Sequence, residues 1–272
     1  MKPAIAQVGS LPASFEDDLT EYAAGHCPAV EVWFTKLENH LQQHSPASVL
    51  ELLAEQQIEI PVASFQGGLL ASQAEPRREA WELFARRLEM CRELKIGTVV
   101  IACDVPHPLT QDAIERTQAS LLQVAQEAGR RGLRAALEFQ ARSAFGNNLQ
   151  TAHALVAEVG SPHLGICLDA FHFFTGPSRL DDLAALPPEL LFHVQLCDLA
   201  DTPRELASDG DRILPGDGDF PLAPLIDLLK ARGYTGHVSL EVLNPQLWQV
   251  PPRQFGEIAI TALRKILGQA EA

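Results

Sequence analysis

Eight short apolar segments, rich in β-branched residues, alternate along the chain with longer segments of helical periodicity. This alternation limits the possible folds most strongly, because strands separated by helices pair in parallel. Eight such units predict an α/β protein with one closed (β/α)₈ barrel, and the 272 residues suit a barrel of roughly 250 residues. The predicted strands are Ala4–Val8, Ala29–Phe34, Pro61–Phe65, Thr98–Cys103, Leu133–Phe139, Leu164–Asp169, Phe192–Cys197 and His237–Leu243.

Apolar residues at helical spacing predict the helices between and after these strands. We find no linker or break in composition, so residues 1–272 are predicted to form a single domain. The segment Ala200–Phe220 is polar and long for a βα connection, which is typical of a functional loop. The predicted helices are Arg77–Leu94, Gln111–Arg131, Asn148–Val159, Leu222–Arg232 and Arg253–Leu267.

The charge and apolar content exclude several classes of partner. The chain has 21 Lys and Arg against 35 Asp and Glu, a formal charge of −14 that repels nucleic acid. No apolar run approaches the roughly 20 residues of a membrane span, and the first residues do not resemble a signal peptide. The five cysteines are widely spaced and form no CxxC pair, which favours reduced thiols. We therefore expect a cytoplasmic protein without nucleic-acid or membrane partners.

Side-chain alternation along four consecutive strands predicts a group of polar residues inside the barrel. In Arg134–Phe139 the residues at 135, 137 and 139 are apolar, so Glu138 is expected to point inward. The same reasoning directs Asp169, Gln195 and Glu241 inward on the next three strands. Each lies near the C-terminal end of its strand, where barrel enzymes keep their chemistry.

Three carboxylates in one lumen require a compensating cation or bound protons. Oxygen donors without a thiolate suit a hard or borderline divalent ion such as Mn²⁺ or Mg²⁺. The alternative interpretation is that one or two of these acids form buried ion pairs with an arginine. Their recurrence on four consecutive strands favours the metal site.

Four further residues are candidates for the wall of this site. His172, three residues after Asp169, is either a substrate contact or a hydrogen-bonded loop histidine. His193 lies one inward position before Gln195 and is predicted to be a lumen residue, with direct metal ligation as the less favoured alternative. Trp33 and Lys36 are candidates for substrate binding; the alternatives are a core tryptophan and a solvated lysine.

Phrases around these residues resemble the xylose isomerase-like TIM barrel superfamily, in particular its sugar phosphate isomerase/epimerase group. The resemblance covers nearly the whole chain and is strongest from Leu133 to Trp248. The matching phrases are Leu137-Glu138-Phe139, Cys167-Leu168-Asp169-Ala170-Phe171-His172, His193-Val194-Gln195-Leu196-Cys197-Asp198, Pro215-Gly216-Asp217-Gly218-Asp219-Phe220 and the segment from Gly233 to Glu241.

The resemblance implies one divalent metal ion, expected to be manganese, with magnesium or cobalt as alternatives. It implies Glu138, Asp169, Gln195 and Glu241 as the ligands. The substrate would be a keto sugar or polyol, deprotonated next to a metal-chelated carbonyl to give an enediolate. Glu138 and Glu241 would transfer the proton on opposite faces, and His172 would bond a substrate hydroxyl. Arg204 or Arg212 in the long loop would contact sugar oxygens or an anionic group.

The resemblance thus predicts a metal-dependent sugar isomerase or epimerase, with a departure at the third ligand and another at Ala144, near which an epimerase-like substrate-binding glutamate would be expected. Gln195 stands where ketose 3-epimerases carry histidine, whereas 3-dehydroshikimate dehydratases carry glutamine there. A metal-dependent lyase or dehydratase of that type is therefore the alternative. An endonuclease IV-like repair enzyme is disfavoured by the charge and the ligand set, and a non-enzymatic sugar-binding barrel is a further hypothesis. A homo-oligomer is left open, since dimers and tetramers are common among the relatives.

Overall fold

A computed structural model describes residues 1–269, in which eight strands follow one another around a closed barrel in chain order. This architecture confirms the predicted (β/α)₈ fold. The fourth and sixth strands begin and end as predicted, and the others differ by one to three residues at their ends. The strands are β1 (Lys2–Ala6), β2 (Ala29–Trp33), β3 (Glu59–Gln66), β4 (Thr98–Cys103), β5 (Arg134–Phe139), β6 (Leu164–Asp169), β7 (Leu191–Leu196) and β8 (His237–Leu240).

The described residues contain ten α-helices. Five of them match the predicted helices to within three residues at each end, and α1, α2, α3, α7 and α8 are additional. The helices are α1 (Phe15–Ala24), α2 (Phe34–His40), α3 (Pro46–Gln56), α4 (Ala74–Glu93), α5 (Gln111–Arg130), α6 (Leu149–Val159), α7 (Ala170–Thr175), α8 (Leu180–Ala185), α9 (Leu222–Ala231) and α10 (Pro252–Ile266).

Capping residues explain where several helices begin and end. The side chains of Thr110 and Asn148 accept hydrogen bonds from the backbone three residues on, which satisfies free N–H groups in the first turns of α5 and α6. Gly160 ends α6 in the left-handed conformation, with φ 60°. After α4 the left-handed residue is Lys95, with φ 60°.

Two compact units make up the described chain. The first unit is Met1–Pro61 together with the chain from Val194 onward. Within it, β1 pairs in parallel with β2 and with β8, and β7 pairs with β8. The second unit is Val62–His193, in which β3 pairs with β4, β4 with β5, and β5 with β6. The predicted single domain also covers residues 270–272, which lie outside the described residues.

An apolar layer in the second unit positions its acidic residues. Val62, Val100, Ala136 and Cys167 form one buried cluster, with one residue from each of β3 to β6. Glu138 follows Ala136 by two positions on β5, and Asp169 follows Cys167 by two positions on β6. Side chains two positions apart on a strand point to the same face, so both acids face the same side as this layer. The apolar layer therefore lies beneath the two carboxylates.

In the first unit, Asp198 anchors the long polar segment that follows β7. Its Oδ1 accepts hydrogen bonds from the backbone N–H groups of Leu199 and Phe220, each at 2.9 Å. Its Oδ2 accepts one from the N–H of Gly216, also at 2.9 Å. One carboxylate thus fixes both ends of this segment, and the Gly-Asp-Gly-Asp stretch lies in the turns and bends before α9.

Two predictions from composition concern membrane spans and cysteines. Within residues 1–269, every helix is too short or too polar to cross a bilayer.

All five cysteines are buried free thiols. Burial raises the pKa values of Cys27 and Cys103 to about 12, so these two thiols stay protonated and unreactive at neutral pH.

Candidate metal centre

Three side chains with metal-binding chemistry lie together at the ends of β5 and β6. Glu138, Asp169 and His172 each offer one donor atom, and these atoms lie within 4.8 Å of one another. Glu138 is 5% exposed and Asp169 is fully buried. The two buried carboxylates offer oxygen ligands that suit a divalent cation, and the imidazole of His172 lies beside them.

Backbone contacts hold this group in place. Asp169 ends β6 and caps α7, because its Oδ1 accepts a hydrogen bond from the N–H of Phe171 at 2.7 Å. Its Oδ2 lies 3.8 Å from Nε2 of His172. On the other edge of the ring, Nδ1 of His172 accepts a long hydrogen bond of 3.5 Å from the N–H of Ala141. In a neutral ring with this orientation Nε2 carries the proton, so His172 is a hydrogen-bond donor next to Asp169.

A second polar group, in the first unit, connects β2, β7 and the residue after β8. Nε2 of Gln195 donates hydrogen bonds to Oε1 of Glu31 at 2.8 Å and to Oε1 of Glu241 at 3.1 Å. In the strand order, β8 and β1 separate β7 from β2, so the bond between Gln195 and Glu31 crosses the barrel interior. All three side chains are at most 7% exposed.

The two carboxylates determine the orientation of the Gln195 amide. Carboxylates such as Glu31 and Glu241 only accept hydrogen bonds, so the amide must direct its NH₂ group towards them. Its Oε1 is thereby directed away from both acids. This carbonyl oxygen is the atom through which Gln195 would bind a cation.

Arg212 forms a buried ion pair with Glu241. Its Nη1 donates to Oε2 of Glu241 at 3.0 Å, while its Nε and Nη2 donate to Oδ1 of Asp209 at 3.0 and 2.7 Å. Arg212 is only 2% exposed. The sequence left open that one or two of the inward acids pair with an arginine, and Glu241 does so in this structure. Glu241 was predicted to lie within a strand, but β8 ends one residue earlier, at Leu240.

Lys36 lies in a buried polar network of the first unit. Its Nζ donates to Oδ2 of Asp18 at 2.6 Å and to the carbonyl oxygen of Ser10 at 2.8 Å. Lys36 is 8% exposed and Asp18 is fully buried, so the alternative of a solvated lysine is wrong. Burial raises the pKa of Asp18 to about 6 and lowers that of Lys36, which shows that desolvation outweighs their mutual attraction. A substrate contact by Lys36 stays a prediction.

The remaining candidates occupy different surroundings. Trp33 is partly buried and lines a cavity with Lys36, so it is not a fully buried core residue. Arg204 is exposed, with its guanidinium 5.9 Å from the ring centroid of Phe220. His193 is fully buried on β7. Substrate contacts by Trp33, Arg204 and Arg212 stay predictions.

Glu31 is the residue of this site to which sequence reasoning assigned no role. It shares one side of β2 with Trp33, so the signal was an acidic residue at an inward position of a predicted strand. Glu31 is fully buried and bonded to Gln195. The sequence pattern gives its direction but not the partner 164 positions away.

Comparison with known families and structures identifies the relatives. Residues 22–266 match the model of the xylose isomerase-like TIM barrel family. The chain belongs to this family. It is 26% identical to a xylose isomerase domain protein from Alicyclobacillus acidocaldarius, with full coverage of both chains and a TM-score of 0.84. An IolI protein crystallised with a zinc atom shares the fold, with 21% identity, full coverage and a TM-score of 0.93.

Two kinds of enzyme occur among the similar sequences. The inosose isomerase of Halalkalibacterium halodurans is 29% identical over 170 residues, which cover 61% of this chain and 60% of that enzyme. The 3-dehydroshikimate dehydratase of Pseudomonas aeruginosa is 30% identical over 278 residues, which cover 98% of this chain and 41% of that enzyme. The matches thus span less than two thirds of the length of either relative.

Proposed function

We propose that this protein is a divalent-metal-dependent isomerase or epimerase of a keto sugar or polyol. The observation that carries the proposal is the pair of buried carboxylates Glu138 and Asp169 beside the partly buried His172, with one polar atom of each within 4.8 Å of the other two. Isomerases and dehydratases among the similar proteins support enzymatic chemistry at a barrel site of this kind.

The proposed ligands of one divalent ion, expected to be manganese, come from four strands that are consecutive in the barrel order. They are Glu138, Asp169, Gln195 and Glu241. Glu138 and Asp169 support this set, because they are buried carboxylates with oxygens within 4.8 Å of each other; Gln195 would add its amide oxygen, and Glu241 would exchange a hydrogen bond for the ion. When bound, the ion would act as a Lewis acid that polarises a substrate carbonyl.

We assign removal of the substrate proton to Glu138. Glu241 receives hydrogen bonds from Gln195 and from the Arg212 guanidinium, which hold its carboxyl group in a fixed position. Glu138 accepts a longer hydrogen bond, 3.4 Å, from Nε2 of Gln140. In the isomerase, Glu241 would return a proton on the opposite face. His172 would orient the substrate by donating a hydrogen bond from Nε2 to a hydroxyl.

A dehydratase is the second candidate, and Gln195 is the observation that favours it. The 30% identity to a 3-dehydroshikimate dehydratase over 98% of this chain supports the same alternative. Both reactions begin with removal of a proton next to a carbonyl. They differ in the next step, because the isomerase returns a proton whereas the dehydratase expels a β-hydroxyl as water.

Proton NMR in D₂O with Mn²⁺ separates the two reactions. Keto sugars, inososes, 3-keto-glycosides and 3-dehydroshikimate are the substrates to test. An isomer with deuterium next to the carbonyl supports the isomerase, and a product that has lost water supports the dehydratase. Glu138→Gln should keep Mn²⁺ and lose about 10²–10⁴-fold in rate. Near-normal exchange by metal-loaded Glu138→Gln would contradict the assigned base, and turnover insensitive to EDTA would contradict the metal.

A further inference from the structure

An acidic residue and two histidines meet on the surface of the first unit, apart from the groups described above. Glu16 lies in the first turn of α1, His40 ends α2, and His44 follows four residues later. One donor atom from each side chain lies within 4.8 Å of the other two. Glu16 and His44 are exposed and His40 is partly buried, so the group is open to solvent.

The backbone fixes the spacing of the two imidazoles. In the turn that follows α2, the N–H of His44 donates to the carbonyl oxygen of His40 at 3.1 Å, an i to i−4 hydrogen bond like those within a helix. Residues four apart in such a turn lie on the same face. The two rings are accordingly stacked, with centroids 4.1 Å apart and planes that differ by 4°.

Packing and charge prepare His40 as a ligand. The ring of Phe15 lies 4.9 Å from that of His40, centroid to centroid, and restricts its movement. Burial and the neighbouring His44 lower the pKa of His40, which favours its neutral form, whereas Glu16 acts in the opposite direction. A neutral imidazole has a lone pair available for a metal ion, whereas a protonated one does not.

We propose that Glu16, His40 and His44 form a second cation site that binds Zn²⁺. Two histidines four residues apart on one helical face, joined by a carboxylate, form a ligand arrangement that recurs in zinc sites. Three protein ligands leave a fourth tetrahedral position for water. Mg²⁺ should not bind here, because it prefers an octahedral shell of oxygen ligands.

Zinc at this site would connect α1 to the turn after α2. The three ligands line one cavity together with Trp33 and Lys36. Trp33 and Lys36 are predicted to bind substrate, so the ion would hold part of the wall of the cavity that these two residues line. Because it would bind the folded chain through residues 28 positions apart, Zn²⁺ should raise the midpoint of thermal unfolding.

The test compares zinc stoichiometry in three forms of the full chain. Wild type, His44→Asn and the control His153→Asn are equilibrated with Zn²⁺, passed through gel filtration and analysed for metal. His153 lies on α6 in the second unit. His44→Asn should retain one zinc ion fewer than wild type, and His153→Asn the same number as wild type. The difference in zinc content between wild type and His44→Asn does not depend on how many ions other sites hold. The result therefore tests this site independently of the proposed function.

Thermal unfolding provides a second measurement on the same proteins. Added Zn²⁺ should raise the midpoint more in wild type and His153→Asn than in His44→Asn, and Glu16→Gln should reduce the rise. Circular dichroism checks that each variant is folded. Equal zinc content and equal thermal shifts in wild type and His44→Asn would overturn the proposal and leave the stacked rings as a packing contact.

Discussion

Replacing Lys36 with methionine should lower the free energy of unfolding by about 3–5 kcal/mol at pH 7. Lys36 donates to Asp18 at 2.6 Å and to the backbone of Ser10 at 2.8 Å, and both ionic side chains are buried. Two charge-assisted hydrogen bonds of about 1.5–3 kcal/mol each are lost. Methionine preserves the side-chain length, so the loss reports the charge and the hydrogen bonds rather than a cavity.

This destabilisation should shrink by about 1.4 kcal/mol between pH 7 and pH 5. Burial raises the pKa of Asp18 from 3.8 to about 6 even beside Lys36, which itself lowers that pKa. Without Lys36 the pKa of Asp18 rises further. Between pH 5 and 7 the folded variant therefore holds a proton that the unfolded chain has released, and its stability increases as the pH falls. The variant gains about 2.7 kcal/mol over this range, and the wild type, which titrates near pH 6, gains about half of that.

Urea unfolding at both pH values, followed by far-UV circular dichroism, measures the effect. Lys230→Met, at an exposed position of α9, is the control and should change stability by less than about 0.5 kcal/mol. A loss below about 1 kcal/mol for Lys36→Met, together with a raised KM, would refute the structural role and support substrate binding. A loss that grows as the pH falls would refute the assignment to Asp18.

Three further predictions concern the residues around Gln195. Glu31→Gln should weaken Mn²⁺ binding about 10–100-fold by calorimetry, because the amide loses one carboxylate that orients it; unchanged affinity would contradict this role. Gln195→His should retain Mn²⁺, since imidazole also binds this ion, and loss of binding would contradict a ligand position. Arg212→Lys should cost about 1–3 kcal/mol of unfolding free energy, because an ammonium cannot bond Glu241 and Asp209 as the guanidinium does; unchanged stability in urea would contradict the buried ion pair.

The strands were predictable because they are short, apolar and clearly bounded. Thr98–Cys103 and Leu164–Asp169 are buried along their whole length, so their apolar runs coincide with the strands. The five additional helices were harder to predict. Phe34–His40 and Ala170–Thr175 have at most two turns, which is too short for a repeating pattern. Such helices depend on tertiary packing more than on their own sequence.

Within the site, the direction of side chains was predictable and the pairing between them was not. Alternation in Arg134–Phe139 indicated that Glu138 points inward, and it is buried near Asp169. The contact of Glu31 with Gln195 joins positions 164 apart, and the sequence contains no local signal for it. Lys36 follows a strand end as a surface lysine would, and only the fold brings a buried acid to it.

Binding of Mn²⁺ to Glu241→Ala tests the central claim most directly. The measurement is made in the His44→Asn background, so that the proposed zinc site does not contribute, with Glu189→Ala at an exposed position as control. Elemental analysis and calorimetry should find one Mn²⁺ per chain in the background and control proteins and none in Glu241→Ala. Full Mn²⁺ occupancy in folded Glu241→Ala would contradict the proposed metal centre.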